Sequence, residues 1–201
     1  MIEAGRRRGP LVWLAAAGGF AAVTAAAITG GLLWGERGPA ASAAPDDAHA
    51  TAPACAELPA GAVEAAVPSG VLETDTTGPL PGAASGSCAW SSVDVPGAEP
   101  RVLTVDFRVH YSDGGGEESG EARAREELGD LARVSEADAA VPLPSLGEDA
   151  LVRQGAVEPG AAEALFRDGN LVVRVWYGGP ADDQARDGAI AVARELAAAL
   201  R

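Results

Sequence analysis

Arg101-Val102-Leu103-Thr104-Val105-Asp106-Phe107-Arg108-Val109-His110-Tyr111 decides the fold class of this chain. Leu103, Val105, Phe107, Val109 and Tyr111 alternate with Val102, Thr104, Asp106, Arg108 and His110. A period of two places the first set on a core face and the second outward, so the stretch reads as a half-buried strand. Downstream, Ala162–Arg167 and Asn170–Tyr177 flank Asp168-Gly169, a dipeptide that tolerates positive φ, and read as a hairpin. Between these strands the spacing of Ala124, Leu128 and Leu131 predicts a helix over about 119–134. A closing helix follows Pro180, with Asp182 and Asp183 in its first turn and Ala185, Ala189, Val192, Leu196 and Leu200 along one face. Upstream, Pro59–Val67 reads as a short helix, Val71–Gly86 as a Pro/Gly/Thr-rich loop and Ser87–Val95 as a strand. Val141–Gly147 reads as a proline-broken loop and Asp149–Gln154 as a short strand. Helix, strands, helix, strands, helix is the pattern of an α+β domain: a mostly antiparallel sheet with helices packed on it.

The 201 residues carry 29 acids and 15 bases, all of them Arg, for a formal charge of −14. Residues 1–54 are neutral overall, so residues 55–201 hold the entire imbalance. Such an acidic domain repels phosphate backbones, which excludes nucleic acid as a partner.

Leu11–Trp34 is an uncharged run of 24 residues, long enough as a helix to cross a hydrocarbon core of roughly 30 Å. Trp13 and Trp34 stand near its ends, Arg6-Arg7-Arg8 precedes it and Glu36 follows. The positive-inside rule then puts residues 1–10 in the cytosol, 11–34 in the membrane as a signal anchor, and the rest outside. Ala41-Ser42-Ala43 offers a signal-peptidase site, so release after cleavage near Ala43 is the competing expectation. The cytosolic residues are too few to form an enzyme. Residues 35–54 are Ala/Pro/Ser-rich and aperiodic and read as a disordered tether; the α+β domain spans 55–201.

In an exported domain the two cysteines, Cys55 and Cys88, are expected to pair. A free thiol pair and an intermolecular bridge are the alternatives. Catalytic chemistry is sparse. His110 is the one histidine of the 55–201 domain, on the outward face of its strand and without a Gly-x-Ser-x-Gly elbow, and reads as an exposed strand residue. His49 reads as a tether residue. No metal set and no cofactor is expected. Glu117, Glu118 and Glu121 read as a solvated loop, and Asp182, Asp183 and Asp187 as a helix start. Trp90 is expected to pack on the disulfide. Trp176 and Tyr177 end a strand, where successive side chains face opposite ways, and form the candidate ligand surface.

Cys55 ahead of a small helix, Cys88-Ala89-Trp90 opening a strand, Leu146-Gly147-Glu148-Asp149-Ala150, and Gly169-Asn170-Leu171-Val172-Val173 form a pattern. It resembles the exported domains, commonly lipoproteins, of high-GC Gram-positive bacteria that share a Cys…Cys-x-Trp signature. More distantly it is similar to the extracellular sensor domains of bacterial Ser/Thr kinases. The resemblance covers about 55–200 and implies an envelope-facing binding or accessory role without catalytic residues. The chain departs from the lipoprotein pattern by an apolar segment in place of a lipidated cysteine, and it lacks a kinase. The resulting expectation is a non-enzymatic, membrane-anchored extracellular domain that binds a small ligand or an envelope protein. A purely structural subunit is the alternative. A carboxylate hydrolase, marked by two carboxyl groups facing across a cleft, stands last.

Overall fold

A computed structural model describes residues 42–114, 118–133, 140–154 and 160–201. The expected membrane helix, 11–34, and the cytosolic 1–10 lie outside the described residues; no described helix is long and apolar enough to cross a membrane.

The domain is α+β. Seven strands form one sheet: β1 (Val71–Leu80), β2 (Ala83–Ser91), β3 (Val102–His110), β4 (Val141–Pro142), β5 (Leu151–Gln154), β6 (Ala161–Asp168) and β7 (Leu171–Gly178). Their order is β1-β2-β3-β7-β6-β5-β4, and every neighbouring pair is antiparallel. Among the described residues, three helices, α1 (Ala60–Ala66), α2 (Gly120–Arg133) and α3 (Asp182–Ala199), and a 3-10 turn at Cys55–Glu57 accompany the sheet.

The sheet is covered on both faces. α3 packs over β5, β6 and β7 on one face, with α1 against it, and α2 packs over β3, β6 and β7 on the other. The alternating apolar set of β3 is buried as the period of two requires, with Leu103, Val105 and Val109 at 0% exposure. It meets the apolar face of α3, where Ala185, Ala189, Val192 and Leu196 are buried. On the opposite face a smaller core joins Ala124 and Leu128 of α2 to Leu151, Leu165 and Val172. Central β6 and β7 are therefore buried on both faces over most of their length.

Three expectations are corrected. Val71–Leu80 is not a loop but the edge strand β1, pairing with β2 from Val71↔Ser91 to Leu80↔Ala83. It has one strand neighbour and is largely exposed, so nothing selected an apolar alternation; Pro79 and two glycines, one of them Gly82 with φ +69° in the turn, are tolerated at an edge and its turn. Val141–Pro142 is a two-residue strand at the other edge. The third correction concerns the tether. From Ser42 to Ala54 the chain is a strap bound to the domain.

The strap is held by polar side chains. Asp47 Oδ1 accepts from Ser112 Oγ at 2.6 Å, Asp47 Oδ2 accepts from Ala44 N at 2.8 Å and from Ser112 N at 3.1 Å, and Ser112 Oγ accepts from Gly120 N at 2.7 Å. Asn170, 2% exposed, accepts from His49 N at 2.8 Å and donates to His49 O at 2.9 Å and to His110 O at 2.6 Å. His49 Nε2 lies 2.8 Å from Asp168 Oδ2, and Tyr111 donates to Ala50 O at 3.0 Å. The β6–β7 turn makes room for this: Gly169 has φ +56°, and a Cβ there would come within 2.8 Å of Ala48 Cβ.

Cys55 and Cys88 form the expected disulfide, tying the 3-10 turn to the middle of β2. Trp90 is buried in the same core.

Candidate functional site

The two residues of the candidate ligand surface separate as strand geometry demands. Tyr177, on the core face of β7 opposite Leu103, is 2% exposed. Trp176 turns to the other face, between Thr104 of β3 and Glu163 of β6 in the register, and its Nε1 is buried with no hydrogen-bond partner among the described residues. They do not form one surface.

Tyr177 instead closes the floor of a groove of about 810 Å³ between α1 and α3. Ala62, Ala65 and Ala66 of α1 face Gly188, Ala191 and Val192 of α3 across it. The small side chains facing one another on the two helices leave the space between them unfilled. Gly188 is required by the floor: a Cβ there would come within 2.6 Å of the Tyr177 ring. The Tyr177 hydroxyl donates to Ala66 O at 2.8 Å and accepts from Arg101 Nη1 at 3.2 Å. Arg101 reaches in from the start of β3, with Nη2 2.6 Å from Glu99. The bond to Glu99 raises the Arg101 pKa above its ordinary value; burial opposes the shift, and Tyr177 adds to it. The guanidinium is thus a permanent cation at the end of an otherwise apolar floor. Asp187, Arg194 and Glu195 stand on the rim.

Sequence reasoning reached Tyr177 but missed Arg101. Its position at the polar start of a strand carries no signal until the fold lays it under α1.

A second depression lies on the α2 side of the sheet and has a volume of about 530 Å³. Asp106, Arg108 and Arg174 line it from the strands, Glu127 from α2, and Ser85 and Ser87 from β2. Asp106 and Glu127 are thus two carboxylates sharing a cleft. Both are engaged: Ser87 Oγ donates to Asp106 Oδ1 at 2.7 Å, and Glu127 bonds His110 and lies 3.6 Å from Arg108 Nε. His110, expected to be exposed, is thereby half-buried under α2. Sequence alone could not show that a helix roofs this part of the outward face.

Next to it sits a charge network buried between β5, β6 and α2. Glu163, 1% exposed, takes Arg153 and Arg174 together, and Arg153 Nη1 donates to Leu131 O at 2.8 Å. Of the acidic clusters, Glu117 lies outside the described residues. Glu118 and Glu121 pair with Arg123 and Arg125, respectively, as a surface segment would.

No family model, curated protein or solved structure matches the chain.

Proposed function

We propose that this chain is a membrane-anchored extracellular binding domain that holds a compact, mainly apolar ligand in the groove between α1 and α3. The single observation that carries this reading is the groove itself. Its volume of about 810 Å³ lies within the roughly 300–1,000 Å³ of small-molecule sites, and it sets small apolar side chains of both helices around Arg101, with Asp187, Arg194 and Glu195 on the rim. An acceptor group on the ligand would meet Arg101, whose charge is kept by Glu99 and whose position is fixed by Tyr177. The apolar body would lie on the alanines.

Export is supported by the uncharged run of 24 residues behind three arginines and by the Cys55–Cys88 bridge, which persists in oxidising compartments.

Two measurements test the reading. Full-length protein extracted from membranes should retain a low-mass species in native mass spectrometry, and Ala191→Trp, which fills the groove from its exposed wall, should lose it. Equal retention by both proteins, or none by either, overturns the groove assignment. An exterior-active reporter fused after Arg201 should be active on intact cells; activity of a cytosolic reporter instead overturns the topology.

A further inference from the structure

The sheet face under α2 is incompletely paired: Glu163 holds Arg174, and Glu127 holds His110 and, at 3.6 Å, Arg108, but among the described residues Asp106 has no cation. Asp106 and Arg174 are directly opposite in the β3–β7 register, yet they form no ion pair. Arg174 turns its Nε to Glu163 and lines the depression. Among the described residues Asp106 makes no ion pair at all; its partner is the Ser87 hydroxyl. Arg108, with 47% of its side chain exposed, approaches Glu127 only to 3.6 Å, while Glu127 is bonded to His110.

One strand therefore presents a carboxylate and a guanidinium from positions two residues apart, whose Cα atoms lie about 7 Å from each other along β3 at the usual strand rise. Both point into the same depression of about 530 Å³. A dianion is repelled by Asp106 and Glu127, and a polycation by Arg108 and Arg174. A molecule bearing both charges satisfies the site: its carboxylate lies on Arg108, its ammonium on Asp106. The hydroxyls of Ser85 and Ser87 offer hydrogen bonds between the two ends, and Val172 and Leu131 supply an apolar wall.

We infer that this face binds a zwitterion of dipeptide size through its free amino and free carboxyl ends. The site lies on the opposite face of the sheet from Tyr177 and stands independently of the groove between α1 and α3.

Titration calorimetry of the full-length protein in detergent micelles tests it, with alanyl-alanine as the probe. N-acetyl-alanyl-alanine lacks the ammonium and alanyl-alanine amide lacks the carboxylate. The parent dipeptide should bind, and each blocked form should bind at least about ten-fold more weakly, a loss of about 1.4 kcal/mol. Arg108→Ala and Asp106→Asn should each weaken the parent by a similar factor with thermal unfolding unchanged, since Arg108 is exposed and Asn keeps the bond from Ser87. Ala191→Trp should leave the affinity as it is. No heat from the dipeptide at tens of millimolar, equal binding of all three forms, or native affinity in Arg108→Ala or Asp106→Asn overturns the proposal. Loss of binding in Ala191→Trp also overturns it, by placing the peptide in the helical groove.

Discussion

Tyr177 shows how much one hydroxyl can organise. Its ring lies on Gly188 of α3, and its oxygen joins the last turn of α1 through Ala66 O to the start of β3 through Arg101. Truncation to Phe keeps the ring and strips both bonds, leaving a buried carbonyl with one partner fewer. Tyr177→Phe should destabilise the domain by about 1–2 kcal/mol in denaturant titration. It should also loosen Arg101 in the groove floor and weaken retention of the bound species. An unchanged midpoint would show that water replaces the hydroxyl. The residue was legible as one of an alternating pair at a strand end. Which of the pair faced the core was not, because a one-residue shift of register exchanges the two.

At the scale of elements, the strap from Ser42 to Ala54 is the least legible part of the fold. It has no periodicity, and its hold comes from scattered polar groups: Asp47 on Ser112, His49 on Asp168, and Asn170 on the strap backbone. Burial of Asp47 raises its pKa, but hydrogen bonds from Ser112 and Ala44 and the nearby Arg123 charge outweigh this, so the carboxyl titrates below its ordinary value. A folded pKa below the unfolded one means stability that is fully present above the unfolded value and lost as pH falls through the folded one. The gap in melting temperature between the native protein and Asp47→Asn should therefore be open at neutral pH and should close below about pH 4, where unfolded carboxylates protonate. A gap that stays constant through that range would remove Asp47 from the clasp. β1 was equally illegible for the converse reason. An edge strand exposed on both sides needs no apolar alternation, and Glu73, Asp75 and Pro79 are what guards an edge against further pairing.

At the scale of the whole molecule, the Cys55–Cys88 bridge closes a sequence separation of 33 residues and ties the strap's end to β2. In the chain-entropy model a loop of this size contributes roughly 3–4 kcal/mol. Reduction should lower the melting temperature by about 10 °C, at some 2–4 °C per kcal/mol for a domain of this size. A change within 1–2 °C, read by calorimetry with and without reductant, would show that the packed core holds the turn without the bridge.

The amino-acid order by itself determined the elements whose cause is local: the β3 alternation, the Asp168-Gly169 hairpin, the stripes of α2 and α3, and, from compartment and count, the cysteine pairing. Each is set by a period or a turn preference acting over a few residues. The tertiary structure decided what depends on residues distant in the chain. Asn170 meets His49 across a separation of 121 residues, and Tyr177 meets Ala66 across 111. Arg101 becomes a groove floor only because α1 and α3 close above it, and Asp106 faces Arg174 without pairing only because Glu163 holds the Arg174 Nε. Hydrogen bonds and charges act over a few ångströms in space, and nothing in the local sequence announces which distant chain will arrive there.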